Sequence, residues 1–164
     1  MLYYSSYNSP IGLLFILASD KYLKKITPFP VFCATKKENE IIYKTKKELD
    51  EYFFNKRTSF TVPFQLEGPA FYKKVWEELL KIGYGKTKTY GEIAQSLGNK
   101  NLSRVVGMAC KNNNIPIIIP CHRCLGKNNS LHSLHGFSLG LDAKRFLLDL
   151  EKQEGERFQI GERA

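Results

Sequence analysis

The chain has 164 residues, of which 43% are hydrophobic and 25% charged, a globular composition that excludes a disordered or collagen-like protein. It carries a net charge of +9, which favours an anionic partner such as nucleic acid. Its longest apolar run, Ile11–Ala18, is far too short to span a membrane, and no signal-peptide pattern opens the chain.

Residues 1–27 predict a small strand meander. Tyr3–Tyr7, Leu13–Ala18 and Tyr22–Ile26 are separated by the turn residues Ser9-Pro10 with Gly12, and then by Ser19-Asp20-Lys21. Lys37–Asn55 has a helical period. It puts Ile41, Ile42, Thr45, Leu49, Tyr52 and Phe53 on one face, with Lys and Glu opposite. Arg57–Gln65 reads as one more short strand. Residues 1–62 are therefore expected to form a structural α+β unit, and residues 63–164 a second, mostly helical domain.

In the second domain, Pro69–Ile82 reads as a helix broken by Ile82-Gly83-Tyr84-Gly85. Thr89 and Glu92 have capping-box spacing and should start a helix over Tyr90–Leu97. A further helix over Asn101–Lys111 would turn Leu102, Val105, Val106 and Ala109 inward, and Ser103, Arg104, Met108 and Lys111 outward. Two short helices joined through Gly98 have the form of a helix-turn-helix, whose second helix meets DNA. The Ile- and Pro-rich run Ile115–Pro120 predicts a buried extended segment that delivers Cys121. A last helix is expected over Asp142–Gln153, with Phe146, Leu147 and Leu150 apolar.

The positive charge is concentrated. Residues 81–127 hold eight cations and one anion, Glu92, whereas the rest of the chain is nearly balanced. The cysteines are not a disulfide framework, and free thiols suit a reducing, cytoplasmic compartment. Cys121 and Cys124 have redox-pair spacing, but no thioredoxin-like strand and helix surround them. With His132 and His135 they make a Cys2His2 set, but the seven residues between Cys124 and His132 are too few for a zinc finger. A third reading makes Cys121 a nucleophile, with adjacent His122 as base, Arg123 adding positive potential, and Glu151 as the nearest group to orient the imidazole.

Pro120-Cys121-His122-Arg123 resembles the active-site signature of the O6-alkylguanine-DNA alkyltransferases. The resemblance extends over nearly the whole chain. Ser9-Pro10-Ile11-Gly12 is similar to the family's N-terminal domain. Phe71, Val75-Trp76, Ile82–Gly85 and Thr89–Ala94 match its first DNA-binding segment, and Ser103–Gly107 its recognition helix. Asn113 with Ile115–Ile119 leads into the signature, and Gly136-Phe137, Gly140, Lys144, Leu147-Leu148 and Glu151 match the closing segment.

The resemblance implies an α+β fold: a small N-terminal α/β unit packed on a mostly helical C-terminal domain with a winged-helix-like helix-turn-helix. It implies a DNA repair protein that flips O6-alkylguanine out of double-stranded DNA and moves the alkyl group irreversibly to its own cysteine, once, with no cofactor and no metal. Cys121 would accept the group, His122 act as base through water, Glu151 orient it, Asn113 tie the helix-turn-helix to the active site, and Tyr90 donate to the guanine. Arg104 would fill the base stack, with Ser103, Lys111 and Arg123 also at the DNA, while Cys124, Phe137 and Ser138 line the pocket. Binding would be through the minor groove with little sequence preference, by a monomer away from membranes. The other readings are a lesion-binding relative that transfers nothing and a helix-turn-helix regulator. Cys124 stands where the family usually has an aliphatic residue, Phe137 where Tyr is common and Leu139 where Trp is frequent; about three extra residues fall near His132–Leu134. A second thiol so near the nucleophile raises the prospect of a Cys121–Cys124 crosslink under oxidation.

Overall fold

A computed structural model describes residues 1–127 and 137–163, with side chains to Lys152 in the last helix. The chain divides into two compact units, Met1–Glu67 and Gly68–Ala164.

In the first unit, β1 (Tyr3–Ser9) and β2 (Gly12–Ala18) form an antiparallel hairpin, paired from Tyr3↔Ala18 to Ser9↔Gly12. Ser9 closes the turn, its hydroxyl donating to the Gly12 carbonyl at 2.7 Å. Gly12 takes φ +114°, a conformation that side chains avoid. β3 (Leu23–Thr27) lies antiparallel to β2, and the two-residue β4 (Thr35–Lys36), which the sequence did not announce, lies parallel to β1; the order is β3-β2-β1-β4. Helix α1 (Glu40–Phe53) is capped by Asn39, which accepts from the Ile42 amide, and it buries Ile42, Thr45, Leu49, Tyr52 and Phe53.

Two expectations change here. Arg57–Gln65 is not a strand; only Phe64 bridges to Leu23. Pro63 has no N–H to give a ladder, and the segment is instead fastened to a carboxylate. That carboxylate is Glu48, expected on the polar face of α1 but buried. Its oxygens accept from the amides of Thr61 and Val62 and from the Thr61 hydroxyl. Burial alone would raise its pKa, but these bonds and Arg57 hold it below the ordinary value.

The second unit begins with α2 (Ala70–Leu79), whose Trp76 donates to the Ala109 carbonyl at 2.9 Å. The strand pair β5 (Lys88–Thr89) and β6 (Cys124–Leu125) is parallel, Lys88 opposite Cys124. α3 (Tyr90–Ser96) follows β5 directly, with both bonds of the Thr89–Glu92 capping box made. A 3-10 turn, Lys100–Leu102, leads into α4 (Ser103–Lys111), and α5 (Leu141–Arg163) closes the unit. The arrangement is α+β, with a mixed sheet and helix first and a mostly helical unit second. Among the described residues no helix is long and apolar enough to cross a membrane.

The buried stripe of α4 is Val106, Ala109 and Cys110, continued by Asn113, so Val105 is exposed rather than inward. Phe146 on α5 is likewise partly exposed. Ile115–Pro120 is buried as expected but is folded back, not extended. The Ile119 amide donates to the Ile115 carbonyl at 3.0 Å, and Ile117 sits at φ +75°. A β-branched residue there is strained by about 1–3 kcal/mol. Burial of Ile115, Ile117, Ile118 and Ile119 offsets that cost.

Glu48→Ala should cost the first unit about 2–4 kcal/mol, because it strands buried donors. Native-state hydrogen exchange checks this: the Thr61 and Val62 amides should lose protection, and unchanged protection would show that Glu48 does not anchor the segment.

Candidate active site

The folded-back Ile loop ends in a 3-10 turn made of Cys121, His122 and Arg123. Asn113, just beyond α4, spans the loop. Its amide nitrogen donates to the Ile119 carbonyl at 2.9 Å and to Cys121 Sγ at 3.1 Å, and its oxygen accepts from the Ile115 amide at 2.9 Å. Both ends of the side chain are therefore used, and the sulfur is held at the end of the helix-turn-helix.

Behind the turn lies a buried carboxylate. Glu151 of α5 accepts from the Gly85 amide at 3.1 Å, from Arg123 Nε at 2.8 Å and from Arg123 Nη2 at 3.1 Å, and it bonds His122 Nε2 at 2.7 Å. Burial would raise the Glu151 pKa, but the bonds and charges of His122 and Arg123 reverse this and bring it to about 2. His122 is fully buried, which pushes its pKa down against the pull of Glu151. The consistent state at neutral pH is an ionised Glu151 matched by Arg123 and a neutral His122. A neutral imidazole donating from Nε2 to the carboxylate keeps its lone pair on Nδ1. That atom is buried and has no hydrogen-bond partner among the described residues.

Cys121 is 1% exposed. Burial and neighbouring Cys110 push its thiol pKa up, while the Asn113 bond and Lys144 pull the other way. The sulfur therefore rests as a thiol, where the sequence led one to expect an acidified cysteine. It needs a base during reaction rather than before it.

Arg123 corrects a second expectation. It was assigned to DNA, but it is buried, committed to Glu151 and to the Ile82 carbonyl (2.7 Å), with its guanidinium over the Tyr84 ring. The cation that acts on the thiols is Lys144, which had been noted only as part of the closing segment. Fully buried, it donates to the Cys124 carbonyl at 2.7 Å and to the Tyr90 hydroxyl at 3.3 Å. A signal was there to read: Lys144, Leu147 and Glu151 fall on one helical stripe.

The remaining site residues are distributed as follows. Cys124 and Cys110 are both buried and their thiols interact, whereas the Cys121 sulfur accepts from Asn113. Phe137 packs edge-on against His122, ring centroids 6.0 Å apart, and the Ser138 Oγ is buried without a partner among the described residues. Ser103, Arg104 and Tyr90 line a cavity of about 670 Å³; Lys111 is exposed at the end of α4. The described residues contain no cluster of three metal-binding groups. His132 and His135, and the extra residues near His132–Leu134, lie outside the described residues.

Glu151→Gln should destabilise the second unit by about 3–5 kcal/mol, since it leaves Arg123 buried without its charge partner. The wild-type carboxyl, lowered from 4.5 to about 2, contributes fully above pH 4.5 and loses its contribution as pH falls toward 2. Unfolding followed through Trp76, the single tryptophan, should show that acid loss in the wild type and not in E151Q; equal pH slopes would refute the assignment.

Comparison with known proteins gives a consistent picture. Residues 70–153 match the model of the 6-O-methylguanine DNA methyltransferase DNA-binding domain, and residues 2–66 that of its ribonuclease-like domain. A methylated-DNA–protein-cysteine methyltransferase of Methanosarcina acetivorans is 41% identical, covering 92% of this chain and 98% of its own; one of Haemophilus influenzae is 40% identical, covering 92% and 87%. The crystal structure of the Mycobacterium tuberculosis O6-methylguanine methyltransferase superposes with a TM-score of 0.83 at 34% identity, over 94% of both chains. A structure of the Mycobacterium tuberculosis protein in complex with DNA gives 0.85 at 35%, over 93% of this chain and 94% of that one. The chain therefore belongs to the 6-O-methylguanine DNA methyltransferase family, through both its N-terminal and its DNA-binding domains.

Proposed function

We propose that this chain is a methylated-DNA–protein-cysteine methyltransferase: it binds DNA and repairs O6-alkylguanine by taking the alkyl group onto Cys121. The observation that carries the reading is the buried Cys121 thiol set beside a neutral His122 whose Nε2 is held by Glu151. In the reaction His122 Nδ1 receives the thiol proton through a water. The sulfur attacks the alkyl carbon in line, the S–C bond forms as the C–O6 bond breaks, and the bond's electron pair leaves with the guanine. Tyr90 then gives the guanine ring a proton. Tyr90 O accepts from Lys144, an ammonium with no acceptor of its own, so this bond does not consume the phenolic proton. The product thioether has no route back to the thiol, so each molecule acts once, without cofactor or metal.

A base inside the duplex cannot reach a sulfur this deeply buried, so the nucleotide is flipped. Arg104, exposed on α4, takes its place in the stack, and Ser103 and Lys111 contact the minor-groove backbone with little sequence preference. Cys124, Phe137 and Ser138 form the wall of the base pocket. The protein works as a cytoplasmic monomer.

Two measurements test this. Incubation with a duplex carrying labelled O6-methylguanine should load one equivalent of label on the protein, and none on Cys121→Ala; Arg104→Ala should be slowed far more on duplex than on free base. Label that persists in C121A would refute the acceptor, and equal slowing would refute the role of Arg104. The single-turnover rate should be flat from pH 7 to 9, because the nucleophile is not a preformed thiolate, and should fall only below pH 6.5, as His122 protonates. A rate rising about tenfold per pH unit above 7 would mean that an ionising thiol governs the reaction instead.

A further inference from the structure

The cavity of about 670 Å³ contains more than the mechanism uses. Tyr90 and Arg104 line it, and so do Thr89, Ser103, Lys100 and Lys127. Lys100 comes from the 3-10 turn that enters α4, and Lys127 follows β6 three residues after Cys124. The cavity thus runs from the recognition helix to the active-site strand. Both lysines are exposed, and among the described residues neither makes a hydrogen bond or ion pair. No acidic side chain lines the cavity. Exposed ammonium groups with no acid to pair them leave the concavity positive, and a positive concavity attracts an anion.

Resting on the repair reading above, we propose that Lys100 and Lys127 clamp the two backbone phosphates that flank the flipped nucleotide. Tyr90, the proposed proton donor, and Arg104, the proposed replacement in the stack, line the same cavity, so the backbone of a nucleotide extruded between them bends there. Bending draws neighbouring phosphates together and raises their repulsion, and extrusion itself costs a few kcal/mol of stacking. A cation on each side lowers the first cost and reads no base, as damage in any sequence requires.

The test uses the full chain carrying Cys121→Ala, so that binding is measured without transfer, on a duplex containing O6-methylguanine. Lys100→Ala and Lys127→Ala should each reduce the slope of log affinity against log salt by about 0.9, and the double variant by about 1.8. On a duplex whose two flanking phosphates are replaced by neutral methylphosphonates, the same substitutions should change affinity less than about twofold, because the partners are already gone. Lys→Arg at each position should restore binding to the ordinary duplex. Equal losses on both duplexes would place the lysines on other phosphates, and no loss on either would remove them from the interface; both outcomes overturn the clamp. Label transfer by the unmodified chain is followed in parallel. Its absence would overturn the repair reading itself, whereas transfer with uncoupled lysines overturns the clamp alone.

Discussion

The second unit depends on one buried carboxylate. Brought in by helix α5, Glu151 takes hydrogen bonds from two separate stretches of chain: the loop at Gly85 and the turn holding His122 and Arg123. An ionised carboxylate away from water is unstable by several kcal/mol unless it is matched. Arg123 matches it in charge and with a forked geometry. Because Arg123 neutralises the carboxylate, His122 does not have to. The imidazole can stay neutral while still held by Nε2, and a neutral imidazole is the form that can accept a proton. The same contacts that fold the unit therefore also favour the neutral form of His122. Gly85 is part of this constraint: at φ +74° it turns its amide onto Glu151, a backbone conformation that glycine adopts freely.

Keeping the nucleophile as a thiol follows from the same economy. A permanently ionised cysteine would react with any electrophile or oxidant that reached it, and a protein used once has no means of recovery from such a loss. Burial holds the proton on Cys121, and Cys110 beside it adds to the effect. Lys144 and Asn113 act in the opposite direction, favouring the charge that develops on sulfur as the proton leaves. On the proposed mechanism the resting state and the reacting state are thus stabilised by different groups, which is what differential stabilisation of a transition state requires.

Local signals in the sequence were faithful where the physics is local. The hairpin at Gly12, the Thr89–Glu92 capping box and the periodic face of α1 depend on neighbours a few residues away, and they formed as read. The meeting of Cys121, His122, Glu151 and Asn113 was also legible, through motif order rather than through periodicity. What was misread has a common cause. Arg123 and Glu48 are charged residues whose burial depends on partners 28 and 13 residues away, so a rule that sends charge outward fails for both. Ile115–Pro120 has the composition of a strand, but among the described residues no strand lies beside it to pair with. Its backbone is satisfied instead by its own turn and by Asn113. Val105 misled because the inward stripe of α4 continues to Asn113, a polar residue that a hydrophobic pattern does not count.

The concentrated positive charge can now be divided by location. Of the cations between residues 81 and 127, Arg123 is spent internally on Glu151, while Lys81, Lys86, Lys88, Lys100, Arg104, Lys111 and Lys127 are all exposed. Lys81 is paired with Glu78, and the one acid of the stretch, Glu92, is spent on the backbone at the start of α3. The outward charge is therefore little offset by acids, and the surface it covers includes the helix-turn-helix and the cavity beside Tyr90. Inside, the balance is reversed: Lys144, outside that stretch, is a buried cation whose charge acts on the thiols. Two sets of cations thus serve two needs. On the proposed function, those in water give a salt-dependent hold on phosphate that reads no sequence. The one in the interior acts at low dielectric, where a single charge weighs far more, and it need act only on the few atoms that change charge.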